Sequence, residues 1–390
     1  MHKHYKIILS TGLAMFSMFF GAGNVVFPLD LGRVAGSLNL YAILGLLLTA
    51  VLVPFTGLLT MFLFAGDYEK FFQRIGKIPG FFIIAFLMAL IGPFMAMPRC
   101  ITLSFSTMQM YFPGMSLFYF SLGAVAFIYF LTVNRKRILD LLGYILSPLL
   151  LTSLTFLIIK GLLFHPKPKV TDFSRIDIFL HGLREGYYTM DLLGAFFFSV
   201  VILLGLQRAL GKDFKKEDVK SRKSFFKITL ISSGIGAFLL GIVYTGFSYV
   251  SSFYSSSLNI AQKDTVLSVL ASTILGPIGG VIANLAVTLA CLTTAMTLAA
   301  VFSEFIQNEL FKNKLNYRSC LLVTLILTFA MSNLGFMGII KMSEPILLIG
   351  YPVLIVLTFL NLAKKLFGFK PVKVPVLITL ILSAIFYFMK

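Results

Sequence analysis

Apolar residues run through this chain in blocks, each closed by charge or by Gly, Pro and polar turn residues. A helix needs ~20 mostly apolar residues to cross the hydrocarbon core of a bilayer. Eleven blocks are long enough: residues 7–33, 38–65, 80–111, 116–134, 138–164, 184–207, 225–252, 277–308, 318–334, 343–363 and 372–389. The pattern predicts an all-α, polytopic membrane protein with about 11 transmembrane helices, numbered below as spans 1 to 11. No long polar segment remains for a separate soluble unit, so residues 1–390 read as a single membrane domain.

Composition strengthens this reading. The chain is 58% hydrophobic and 12% charged, with a mean hydropathy of +0.94, whereas soluble domains carry about 25% charged residues. A net charge of +18 would favour nucleic acid in a soluble protein, but in a polytopic one it belongs first to cytoplasmic loops. With the amino terminus inside, 23 of the 33 Lys and Arg fall on or beside inner connections, among them Arg135, Lys136 and Arg137, nine fall on the outer side, and one, Arg99, falls deep within a span. The positive-inside rule then predicts a cytoplasmic amino terminus and, after eleven spans, an outer carboxyl terminus. The run from Arg208 to Lys227 reads as an inner anchor, with anionic lipid head groups as its alternative role. Lys3, Lys6 and Gly21-Ala22-Gly23 imitate a cleavable signal peptide, yet apolar sequence resumes at once through Val25-Val26-Phe27-Pro28, so cleavage would discard half of span 1.

Reactive residues narrow the chemistry. Cys100, Cys291 and Cys320 lie in apolar stretches and form no disulfide framework. The four histidines, His2, His4, His165 and His181, lie in the leader or in the connection before span 6. An intramembrane metal dyad or Ser–His pair cannot be built from them, which argues against a polytopic enzyme. No ring-forming filter signature of an ion channel is present. A non-transporting sensor stays open.

Non-helical backbone survives in a bilayer only where it lines a cavity, so interrupted spans in corresponding halves point to a transport site. Span 1 carries Gly21-Ala22-Gly23-Asn24, closed by Pro28, which allows either unwinding or close helix packing. Span 6, five spans later, carries Gly186-Tyr187-Tyr188-Thr189-Met190-Asp191 followed by Leu192-Leu193-Gly194-Ala195-Phe196. An intramembrane carboxylate such as Asp191 must be offset by a cation or by hydrogen bonds. In span 8, Thr293 and Thr294 either bond the preceding turn or give two hard oxygens to a small cation. Arg99 is buried either on the carbonyls of a broken helix, on a carboxylate, or as a gate.

These segments resemble the bacterial branched-chain amino acid carrier family (BrnQ, or LIVCS) of cation symporters. The resemblance rests on Phe19-Phe20-Gly21-Ala22-Gly23-Asn24-Val25-Val26-Phe27-Pro28, Gly92-Pro93 with Pro98-Arg99, Gly186 to Asp191, Ala290-Cys291-Leu292-Thr293-Thr294-Ala295 and Ser332-Asn333-Leu334-Gly335, with Pro345 and Tyr351-Pro352 in span 10. Phe198-Ser199 and Glu344 depart from the family pattern, and the family implies a twelfth span.

The resemblance implies a LeuT-like fold of the APC superfamily, a 5+5 inverted repeat (7–164 and 184–363, with 372–389 as an additional helix) whose helices 1 and 6 are discontinuous. It implies import of Leu, Ile and Val across a bacterial cytoplasmic (inner) membrane, with no organic cofactor. The substrate carboxylate is assigned to the amides of Ala22, Gly23 and Asn24, next to Gly21, at the start of the outer half-helix. The ammonium is assigned to free carbonyls around Asp191, Leu192, Gly194 and Ala195, and the side chain to Phe94, Met95, Met97, Phe196 and Phe197. Sodium is assigned between the carbonyls of Ser17 and Phe20 and the hydroxyls of Thr293 and Thr294. From Leu139 to Ile159 no titratable amine stands in span 5, only Asp140 near its inner edge, which favours sodium over protons as the coupling ion. Asp191 and Glu304 are the alternative proton carriers.

Overall fold

The computed structural model describes residues 2–133, 138–210, 219–259 and 261–389. Arg135, Lys136 and Arg137, residues 211–218 of the basic run, and the side chain of Asp140 lie outside the described residues. Every regular element described is helical. Span 1 is two helices, α1 (His2–Phe19) and α2 (Ala22–Ala35). Span 2 is α3 (Asn39–Leu47) and α4 (Val53–Leu63), joined by a π-turn at Leu48–Leu52 and followed by the short α5 (Tyr68–Phe72). Span 3 is α6 (Lys77–Ala89) and α7 (Ala96–Gln109), joined at Leu90–Phe94, where Gly92 leaves helical geometry and Pro93 lacks a donor. Spans 4 and 5 are α8 (Leu117–Val133) and α9 (Ile138–Leu163). Span 6 is again two helices, α10 (Arg175–Tyr188) and α11 (Asp191–Leu210). Spans 7 to 11 are α12 (Val219–Phe253), α13 (Val266–Phe305), α14 (Tyr317–Ser332), α15 (Gly335–Phe367) and α16 (Lys373–Phe388).

Several boundaries differ from the apolar pattern, among them that of span 8, whose helix runs from Val266 through a non-helical Gly276 rather than starting at residue 277. The helix of span 6 begins at Arg175 rather than at residue 184, because the Ser174 side chain caps it by accepting from the Asp177 amide at 3.2 Å. Span 10 begins at Gly335 rather than at residue 343. The positive φ of Gly335, 71°, turns the chain there, and Lys341 and Glu344 lie inside the helix.

The packing exchanges the two broken spans. The long α12 lies along α1 and α2, while α10 and α11 lie along α3 and α4. Span 1 therefore packs on span 7 as span 6 packs on span 2. Both contacts depend on glycine: a Cβ on Gly32 would sit 2.0 Å from the Ser248 carbonyl oxygen, one on Gly182 would sit 2.1 Å from that of Ala42, and one on Gly45 would sit 2.3 Å from that of Phe179. Lipid tails are as apolar as side chains, so such close approach supplies much of what holds helices together in a bilayer. Around these pairs, α13 joins α7 and α9, and α14 joins α8.

Gly32→Val and Gly182→Val should each lower the melting temperature of the detergent-purified protein, by the equivalent of at least the ~1–3 kcal/mol typical of overpacking. Gly205→Ala, where nothing lies within 4 Å of the added carbon, should leave it unchanged. A Gly182→Val protein that melts with the wild type would show that spans 2 and 6 do not meet as described.

Candidate substrate site between the two helix breaks

The break in span 1 closes on itself. Between α1 and α2 the chain passes through Gly21 in an extended conformation, and the Asn24 side-chain oxygen accepts the Gly21 amide at 2.9 Å. The break in span 6 turns at Met190, whose φ of 63° is unusual for a residue with a side chain. There Thr189 donates its hydroxyl to the Gly186 carbonyl at 2.9 Å. The two breaks face each other: a Cβ on Gly23 would stand 3.2 Å from Thr189 Cα and 3.3 Å from its carbonyl oxygen.

Asp191, the first residue of α11, is 4% exposed. The Asn24 Nδ2 donates to its two oxygens at 2.8 and 2.9 Å, and the Tyr244 hydroxyl on α12 donates to Oδ2 at 2.8 Å. Asn24 Nδ2 and the Tyr244 hydroxyl also touch each other. Among the described residues no cationic side chain forms an ion pair with Asp191. The charge is offset by neutral donors and by the positive end of α11. The next amide, that of Leu192, donates to the Tyr351 hydroxyl of α15 at 3.0 Å, and Tyr351 stacks on Tyr187.

Arg99, in α7, satisfies the broken span directly. Its Nη1 donates to the Tyr188 carbonyl at 2.8 Å and its Nη2 to the Ser343 hydroxyl at 2.5 Å, with the guanidinium 5.5 Å from the Phe27 ring centroid. Of the roles open to it, the structure shows the bond to a carbonyl of a broken helix.

A cavity of about 60 Å³ lies between the breaks, lined by residues 21–24 and 189–191 together with Gly194, Thr294 and Arg99. Its apolar wall comes from Phe19, Ile91, Cys100, Phe198 and Leu298 among others. Asp191, Gly194 and Phe198 stand on one face of α11. Phe196 lies about 160° around the helix from Gly194, and Phe197 about 60° from it on the side away from Asp191 and Phe198; Phe196 packs on Phe71 and Phe72 and Phe197 on Tyr68. Of the residues expected to hold the substrate, Phe94, Met95, Met97, Phe196 and Phe197 lie outside the lining of this cavity, as do Leu192 and Ala195. The turn at Leu90–Phe94 is responsible on α7, leaving Phe94 37% exposed and Met97 against the Thr328 hydroxyl. Polarity also differs from that expectation: because α11 starts at Asp191, residues 191–193 stand at the amide end of the helix, the Gly194 amide already bonds the Met190 carbonyl at 3.1 Å, and the freed carbonyls belong to the last turn of α10.

The four expected sodium ligands are only partly gathered. Thr294 lines the cavity, and a Cβ on Gly21 would meet its methyl at 3.3 Å. Thr293 does not line the cavity, and both hydroxyls donate to the Ala290 carbonyl, at 2.8 and 3.0 Å. Phe20 is buried against Phe16 and Phe247, and neither it nor Ser17 lines the cavity. The residues missed by sequence reasoning are Tyr244, Tyr351 and Ser343. A tyrosine in mid-span is a detectable signal, but its partner is not.

Two facing discontinuous helices within an all-helical bundle give the chain a LeuT-like fold, and six of its described helices are long and apolar enough to cross a membrane. A solved manganese transporter of Eremococcus coleocola superposes with a TM-score of 0.56 at 14% identity, covering 98% of this chain and 86% of that one, a likeness of fold alone. The family described as branched-chain amino acid transport protein matches residues 4–390, and the chain belongs to it. The branched-chain amino acid permease BrnQ of Bacillus subtilis (strain 168) is 32% identical over 371 residues, 92% of this chain and 82% of the relative.

Tyr244→Phe removes a donor from a buried carboxylate and should cost about 1–3 kcal/mol of stability. In a double-mutant cycle with Asp191→Asn, a coupling of ~0.5–3 kcal/mol is expected for groups in one hydrogen-bonded network. A coupling of zero would separate Tyr244 from the carboxylate.

Proposed function

We propose that this branched-chain amino acid carrier imports Leu, Ile and Val by sodium symport with alternating access. The two five-helix repeats, 7–164 and 184–363, would rock around the facing breaks, with 372–389 peripheral and the amino terminus in the cytoplasm of a bacterium. The observation that carries the reading is the meeting of the two breaks at Asn24 and Asp191. The positive end of α2, at Ala22, Gly23 and Asn24, suits the substrate carboxylate. Asp191, which pairs with no cationic side chain among the described residues, suits the ammonium, and Phe19, Ile91, Phe198 and Leu298 suit a branched aliphatic side chain. Thr294, against Gly21, is the ligand through which sodium on span 8 would tie to span 1.

A second reading has its own support. Among the described residues Asp191 is held by neutral donors alone, so a proton bound there would remove a buried charge that no cation neutralises. Proton symport through Asp191 is the reading that this favours.

Radiolabelled leucine uptake in proteoliposomes, under separately imposed sodium and proton gradients, decides between them. Accumulation should follow the sodium gradient. Accumulation driven by a proton gradient in sodium-free buffer would replace sodium by the Asp191 proton. Gly23→Leu should insert normally yet lose uptake, because the added side chain would collide with Thr189 and Phe27. Thr294→Val should raise the sodium concentration needed for half-maximal leucine binding more than it changes leucine affinity at saturating sodium, since linkage between the two ligands is reciprocal. Wild-type sodium titration by Thr294→Val would remove Thr294 from the cation site.

A further inference from the structure

Lys263 lies in the connection between α12 and α13. Its ammonium stands 2.9 Å from Asp30 on α2 and 2.9 Å from Glu185 on α10, and 5.9 and 6.0 Å from the rings of Phe27 and Tyr188, which pack on each other. The carboxylates are almost fully buried, at 1% and 2% exposure, whereas the Lys263 side chain retains 22%. Burial pulls the Lys263 amine down, but Glu185 and Asp30 outweigh it and hold the amine above its usual range. Arg33 also pairs with Asp30, at 2.5 Å, and His181 Nε2 lies 3.8 Å from Glu185 Oε1. Glu185 Oε2 is buried with no hydrogen-bond partner among the described residues, so the seat holds more acceptor capacity than Lys263 uses. Arg99, which lines the cavity, rests on the same Phe27 ring. The Phe27 ring thus lies between the seat and a residue that lines the cavity.

We propose that Asp30, Glu185 and the rings of Phe27 and Tyr188 form a binding site for a primary ammonium group, of which Lys263 is the built-in, displaceable occupant. An ammonium carries three N–H donors, and two carboxylates beside aromatic faces supply both acceptors and cation–π attraction. When Lys263 leaves, Asp30 keeps Arg33 but Glu185 loses the cation at hydrogen-bond distance, a costly state for a buried carboxylate, so the seat favours exchange of one cation for another over standing empty. Lys263 is suited to leave because it comes from a connection, not from a packed helix, and stays partly in water. The incoming group would be the ammonium of an amino acid on its way to the cavity. That identity rests on the transport reading above, whereas the ammonium seat does not.

Lys263→Ala vacates the seat, and methylammonium is the probe. In detergent-purified protein, methylammonium chloride should raise the melting temperature of Lys263→Ala in a saturable way and leave the wild type unmoved. Equal concentrations of sodium chloride or tetramethylammonium chloride should not reproduce the shift, since neither offers N–H donors. Adding Glu185→Gln to Lys263→Ala should abolish it. Should Lys263→Ala not fold, Lys263→Met keeps the stem and serves in its place. No response to methylammonium overturns the proposal, and an equal response to sodium overturns the assignment to ammonium. Leucine should then displace methylammonium from Lys263→Ala, and its hydroxy-acid analogue should not. If methylammonium binds but leucine fails to displace it, the amino acid is overturned as the natural occupant and the ammonium seat stands.

Discussion

A backbone group in the hydrocarbon core has no water to bond, so each helix break must be satisfied from within the protein. The two breaks here are satisfied by side chains from several other spans. Arg99 of span 3 takes the Tyr188 carbonyl, Tyr351 of span 10 takes the Leu192 amide, and Asn24 and Thr189 close on their own turns. The broken helices are thereby gripped at their breaks by the helices around them.

The same constraint fixes the electrostatics. Both α2 and α11 begin at the site, so two positive helix ends converge there. Asp191 occupies that convergence with Asn24 and Tyr244 as donors. A second carboxylate, brought by an amino acid, would repel the first unless a cation or proton came with it. Under the transport reading, the demand for a coupling ion arises from the protein's own charge rather than from a separate device, and the substrate ammonium supplies only part of the compensation.

Arg99 and Lys263 show two ways of keeping a cation in such a setting. Arg99 is buried on neutral acceptors, a carbonyl and a hydroxyl, with an aromatic ring at its face. Lys263 is partly exposed and bound to two buried carboxylates. The planar guanidinium stays charged in almost any surroundings and suits a fixed structural contact, whereas a compact ammonium on a flexible stem is the easier one to exchange.

The apolar blocks, the interruption of the first and sixth, and the need of Asp191 for bonded partners were legible in the residues alone, because bilayer thickness, helix propensity and the cost of an intramembrane charge act on local sequence. Family motifs added the carrier and the LeuT-like fold. The pairing of Asn24 with Asp191 and Tyr244 was not legible, since these residues are 167, 220 and 53 positions apart pair by pair and no local rule links them. Nor was the face of α11 that meets the cavity: the break falls at Met190, so helix phase begins at Asp191, bringing Gly194 and Phe198 inward and turning Phe196 and Phe197 away. The chain determined where helices could form and fail. Tertiary packing, through the register of each broken helix against its neighbours, decided which side chains share the site.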